Sequence, residues 1–298
     1  MFDLDRRQRQ SAVRGEPQET PMLDGRDFAL DGGPAGEGSS RFTRDLPEQW
    51  CFDGRAFGGY TSALALAAMF AHSGRSAAAS LSVTFVDAGA PGPLELEVRS
   101  IRGGRTAAAV EATIRQRERT ILIANSWFAD GWLGPPSVDA PVPFERYAAP
   151  LPLPQSAPAR DWIGEEYPSL RFAHRRGLDY PASLTRFADR RPEVALWVCA
   201  DSDSPDDPLT HPQIADVLHA DAHLFDAPGK VSGFVDAWLL SLDLSLVWQP
   251  GAHLVPSTAW RLLEARGSVA SGGVSAYGSL RGSDGSLLAV MTSQGLIR

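Results

Sequence analysis

The chain has 298 residues, 43% of them apolar and 21% charged, and a formal net charge of −8. That is the composition of a soluble globular protein with apolar material enough for one large or two ordinary domains. The acidic balance speaks against nucleic acid as a general partner, because gripping phosphate takes a basic face.

No apolar run reaches the length of a membrane span, and the opening MFDLDRRQRQSAVRGEPQET has no apolar secretion segment. Cys51 and Cys199, the two cysteines, match no zinc spacing and no disulfide framework. A cytoplasmic protein is expected. Residues 1–38 are polar and Gly-rich and read as a poorly ordered arm with one short strand. Their GGPAGEGS stretch lacks the strand-to-helix setting of a phosphate-binding loop.

A first module is expected over 39–132. FGGYTSALALAAMFAHSG (57–74) opens on Gly58-Gly59, closes on Gly74, and holds strong helix formers between them. Its sides are nearly all apolar, so the helix should be wrapped rather than lie on a surface. Then the period drops to two. Leu81, Val83 and Phe85 of SLSVTF share a face. Two strands follow around Gly103-Gly104, and RTILIANSWFAD closes an antiparallel meander.

Residues 133–165 read as a linker: eight of the chain's 23 prolines lie between Pro135 and Pro158. The second module, 166–298, repeats the first. HPQIADVLHADAHLF supplies a helix and SLDLSLVW a strand. Laid without gaps over TIRQRERTILIANSWF, the segment SLRGSDGSLLAVMTSQ matches Ile114 to Leu280 and Arg115 to Arg281, and sets Gln294 opposite Phe128. This is a duplicated α+β domain.

Several polar residues stand where the pattern asks for apolar ones. On the second helix Asp221 lies four residues beyond Val217 and seven beyond Ile214, on or beside the inward face. A buried carboxylate is costly without a partner, so it caps backbone, pairs with a cation, or does chemistry. In 238–248 the even positions Trp238, Leu240, Leu242, Leu244, Leu246 and Trp248 form an apolar face. Ser241, Asp243 and Ser245 lie opposite, facing water or lining a site. The last strand turns polar at Thr292-Ser293-Gln294, where its twin ends in Trp127-Phe128. His219 and His223 have i, i+4 spacing but no third zinc ligand, and read as surface residues. Arg171, Arg175 and Arg176 read as a solvated strand edge. No Gly-x-Ser-x-Gly nucleophile elbow is present.

FGGYTSALALAAM, SLSVTFVDAGAPGPLELEVRSIRGGRT, SLDLSLVWQP and DGSLLAVMTSQGLIR, in that order and spacing, resemble the acyl-CoA thioesterase II family, proteins of double-hotdog fold. The resemblance covers roughly 40–130 and 208–298. It implies a water-activating trio of helix Asp, strand Thr or Ser, and C-terminal Gln, which falls on Asp221, Ser241 and Gln294. The chain departs from the family in three places. Ser241 stands for the commoner Thr, Leu244 for a His, and Gln294 abuts Gly295, so that anchoring on GLIR moves the amide position to Ser293.

The implied reaction is hydrolysis of acyl-CoA to a carboxylic acid and CoA. Asp221 deprotonates a water held by Ser241 and Gln294, and backbone N–H groups near Gly58 and Gly59, or at the counterpart helix end in the second half, meet the oxyanion. No metal or redox cofactor is needed, and a homo-oligomer is expected. A hotdog enoyl-CoA hydratase is the first rival, though no convincing Asp–His pair appears. A non-catalytic acyl-CoA or acyl-carrier binding protein is the second.

Overall fold

The computed structural model describes residues 28–129, 191–200, 211–232 and 239–297, with the backbone alone for 173–177. The expected linker at 133–165, with Trp238 and Arg171, lies outside them. In the first half β1 (Asp31–Gly36) and β2 (Ser39–Leu46) form a hairpin, followed by a small ribbon of β3 (Cys51–Phe52) and β4 (Arg55–Ala56). Helix α1 (Gly58–Ser73) comes next, then β5 (Ala78–Phe85), β6 (Gly92–Arg102), β7 (Ala107–Gln116) and β8 (Arg119–Ala129). The second half runs β9 (Ala173–Gly177), β10 (Glu193–Ala200), α2 (Pro212–His223), α3 (Asp226–Ser232), β11 (Leu239–Ser241), β12 (Asp243–Trp248), β13 (Arg261–Ala270), β14 (Gly273–Gly282) and β15 (Leu287–Ile297).

Nearly all these strands join one antiparallel sheet. From the middle outward, one half reads β5-β8-β7-β6-β2-β1 and the other β12-β15-β14-β13-β10-β9. The order is the same, and β5 pairs antiparallel with β12, Val83 against Leu244, to join the halves edge to edge. This is a double hotdog: two helix-plus-sheet units fused in one chain. Strand β9, with Arg175 and Arg176, is the outermost on its side.

Alternation explains which face is inside. Leu81 and Val83 of β5, Leu122, Ala124 and Phe128 of β8, and Leu246 and Trp248 of β12 are all buried against the helices. Helix α1 ends at Gly74, whose φ of 65° suits glycine and whose N–H donates to Phe70 O at 2.9 Å. Its Leu64, Leu66 and Met69 and the Val217 and Leu218 of α2 are fully buried in one shared core.

The gapless repeat alignment needs correcting by one residue. Ile114 pairs with Leu122, eight positions on, whereas Leu280 pairs with Ala289, nine on. The β14–β15 turn is thus one residue longer than the β7–β8 turn. Ile114 and Leu280 do correspond, but past the turn Ala289 matches Leu122, and Gln294 matches Trp127 rather than Phe128. A one-residue slip turns every side chain to the other face. Two hydroxyls support the corrected register. Ser126 Oγ donates to Ser80 O of the adjacent strand at 2.7 Å, and Ser293 Oγ donates to Asp243 O at 2.6 Å.

The expected apolar face of 238–248 is broken too. Ser241 pairs with Gly295 and Ser245 with Thr292, so four steps on one strand oppose three on the other. The extra residue is a β-bulge, which re-aims the side chains around it. Leu242 points outward, 42% exposed, while Leu244 returns to the core. Asp243 satisfies the ladder the bulge opens: its Oδ1 accepts the Gln294 N–H at 2.7 Å.

Candidate active site

The bulge brings Ser241 round to the inner face. Its Oγ donates to Asp221 Oδ1 at 3.3 Å. The other oxygen, Oδ2, accepts the backbone N–H of Gly59 at 2.6 Å, from the first turn of α1 in the other half. The candidate site therefore straddles the two halves: a carboxylate from α2, a hydroxyl from the bulged strand, and the start of α1. A helix N-terminus carries unpaired N–H groups and partial positive charge, which suits a carboxylate.

The Gly58-Gly59 pair is required by this close approach. A Cβ on Gly58 would sit 3.0 Å from both Asp221 Oδ2 and the Phe85 ring. On Gly59 it would lie 2.6 Å from the Phe57 ring and 3.2 Å from Asp221 Cβ. Asp221 is half-buried, and desolvation pushes its pKa up to about 6, against the lowering effect of the Gly59 and Ser241 hydrogen bonds. No cation pairs with it among the described residues. A carboxylate raised this way, without a counter-charge, can take a proton near neutral pH.

A second carboxylate on the same helix, Asp216, was not singled out in the sequence. Fully buried, it forms an ion pair at 2.9 Å with the equally buried Arg261 and accepts Trp248 Nε1–H at 3.0 Å. Arg261 also donates to the Val255, Pro256, Ser257 and Ala259 carbonyls. Asp216 is thus held in a structural network.

Gln294 is not brought to Asp221. Ser241 and Gly295 are cross-strand partners on the inner face, where a Cβ on Gly295 would strike the Phe225 ring at 2.8 Å. Ser293 is also turned inward, at 4% exposure. The residue between them must face the other way, and Gln294 is exposed. Its side chain and Asp221 lie on opposite faces of the sheet. Anchoring on the GLIR end gives the register the structure has, with Ser293 inward where the resemblance implied an amide. His219 and His223, expected at the surface, are buried, and His223 Nδ1 lies 3.1 Å from Asp226 Oδ2. Among the described residues no three metal-binding side chains cluster.

Residues 46–129 match the family model of the acyl-CoA thioesterase N-terminal domain. The fold is similar to that of a putative thioesterase II from Thermobifida fusca YX, with a TM-score of 0.68 and 20% identity over 93% of this chain and 98% of that one. It is also similar to a conserved hot dog protein of unknown function from Alicyclobacillus acidocaldarius, TM-score 0.69 at 19% identity over 92% and 97%. An acyl-CoA thioesterase II, TesB2, from Mycobacterium marinum gives 0.66 at 18% over 92% and 98%. No curated protein sequence matches. Residues 46–129 thus carry an acyl-CoA thioesterase N-terminal domain, set within a double-hotdog fold.

Proposed function

We propose that the protein hydrolyses acyl-CoA thioesters with Asp221 as general base. The observation that carries this reading is the Asp221 carboxylate, raised to about 6, seated between the α1 N-terminus and the Ser241 hydroxyl. Asp221 takes a proton from a water that Ser241 helps to hold. The water oxygen adds to the thioester carbonyl carbon, and the carbonyl becomes an oxyanion. Because Gly59 N–H is bonded to Asp221, the neighbouring N–H of Gly58 is the donor for that oxyanion. Collapse breaks the C–S bond, and the leaving thiolate takes the proton from Asp221. The products are a carboxylic acid and CoA.

Gln294 has no part in this scheme. Its expected role in holding the water falls to Ser241. The test is a thioester-hydrolysis screen across acyl-CoA chain lengths, run in parallel on wild type and Asp221→Asn. Loss of hydrolysis in the variant with acyl-CoA binding retained supports the reading. Binding without hydrolysis in wild type would make the chain an acyl-CoA binding protein.

We also propose a cytoplasmic homo-oligomer. The outer face of the sheet exposes Trp127 at 44%, Val247 at 43%, Leu242 at 42% and Tyr277 at 40%. An apolar face of this kind favours a partner surface. Light scattering that finds only a 32.0 kDa species at micromolar concentration would refute the oligomer.

A further inference from the structure

A cleft on the first half lies apart from Asp221. It opens between α1 and the β1–β2 hairpin, has a volume of about 500 Å³, and is walled by Phe28, Leu30, Pro34, Phe42, Ala67 and Ala71. That volume is within the range of about 300–1,000 Å³ common to small-molecule sites. Gly32 and Gly33 also line it, and its polar side chains are Ser40 and His72.

Ser40 is 4% exposed, and its Oγ lies 2.8 Å from His72 Nδ1. On the far side of the ring, His72 Nε2 lies 2.9 Å from Ser100 Oγ. The imidazole is therefore held by a hydroxyl at each nitrogen. Desolvation keeps its pKa below the ordinary histidine value, so the ring is neutral at neutral pH.

A neutral imidazole carries one N–H and one lone pair, and a hydroxyl can donate or accept. With the proton on Nδ1, Ser40 receives it and keeps its own O–H free to donate into the cleft. With the proton on Nε2, Ser40 donates to Nδ1 and offers lone pairs instead. The Ser100–His72–Ser40 relay can thus switch between donor and acceptor without a change of charge. A group that is itself both donor and acceptor, and uncharged, complements it best. The apolar walls suit an aliphatic chain behind that group.

We propose that this cleft is a binding site for a linear aliphatic alcohol, its hydroxyl on Ser40 and its chain between α1 and the hairpin. The site is independent of the proposed hydrolysis. The experiment titrates the full chain with 1-octanol, by calorimetry and by the ¹⁵N resonances of the His72 ring.

Saturable binding that shifts those resonances is expected. Ala67→Leu fills the cleft without loss of helix propensity and should weaken binding by roughly tenfold or more. Ala71→Leu serves as a second filling variant, and circular dichroism checks that both fold. Ser40→Ala should weaken binding roughly two- to tenfold, the loss of one net hydrogen bond. Asp221→Asn should leave it unchanged. Octanoate should bind at least about tenfold more weakly, because its charge would be desolvated beside a neutral ring.

The proposal is overturned if 1-octanol does not saturate, or if octanoate binds as tightly. It is equally overturned if binding survives both cleft-filling variants and is lost in Asp221→Asn, which would place the alcohol in the hydrolytic site.

Discussion

The two ends of the helix pair have the same origin and opposite contents. Counted from their first residues, Asp221 is the tenth position of α2 and Ala67 the tenth of α1. At one junction the α1 N-terminus meets Asp221 across two glycines. At the other, the α2 N-terminus is packed with rings and an amide. His211 lies over Phe70, ring centroids 4.2 Å apart, and Phe70 meets Phe128 edge-on. Burial pushes His211 down to about 4, so this end carries no charge at neutral pH. Fully buried Gln213 donates to Ala78 O at 2.7 Å and accepts Ala78 N–H at 2.8 Å, stitching α2 to the first half. The sealed junction supplies stability. The glycine-lined one tolerates a costly carboxylate, and that is where chemistry has room.

If this division holds, Asp221→Asn has the largest effect, a fall in kcat of roughly 10²–10⁴ in a thiol-release assay, the usual value of a positioned base. The same variant should be more stable than wild type at neutral pH. The folded pKa of about 6 lies above the ordinary 3.8, so the native state binds the proton more tightly. Stability therefore falls as pH rises from about 4 to about 6, and the loss, at most about 2–3 kcal/mol, persists above that. Chemical denaturation at neutral pH measures the gain in Asp221→Asn.

Gln213→Ala should behave in the reverse sense. It strands two buried backbone groups and should cost about 2–4 kcal/mol of stability, with kcat changed far less than by Asp221→Asn at a temperature where the variant is folded. Ser241→Ala comes third. It should lower kcat about tenfold and move the pH limb upward, since the lost hydrogen bond favours the charged form of Asp221. Gln294→Ala is the smallest: an exposed residue on the far face should change kcat by less than about twofold and stability by no more than about 0.5 kcal/mol. A hundredfold loss there would reinstate the amide in the mechanism.

Long-range periodicity was legible in the sequence. The all-apolar stretch at 57–74 does form a wrapped helix, the alternation at 80–85 does form a strand, and the repeat predicts two like units, because each follows from residue spacing alone. The register of β15 was not, since one added residue in the β14–β15 turn leaves no mark in a gapless alignment and yet reverses the faces of Ser293 and Gln294. The bulge at Leu242–Asp243 was hidden for the same reason: an uninterrupted run of even leucines reads as one face, and only the pairing with β15 shows the break. Asp221 stood out because a carboxylate interrupts an apolar stripe. Asp216 did not, because its partner Arg261 is 45 residues away and the two meet only in the fold.

The central claim is that Asp221 is the base, and the pH dependence of kcat/KM for acyl-CoA hydrolysis, measured from about pH 4.5 to 8 on wild type and Asp221→Asn, tests it most directly. Wild-type activity should rise through an apparent pKa of about 6 and level off above it. In the variant the limb should vanish and the residual rate lie roughly 10²–10⁴ lower. An Asp221→Asn protein that keeps the same limb and the same rate would contradict the account.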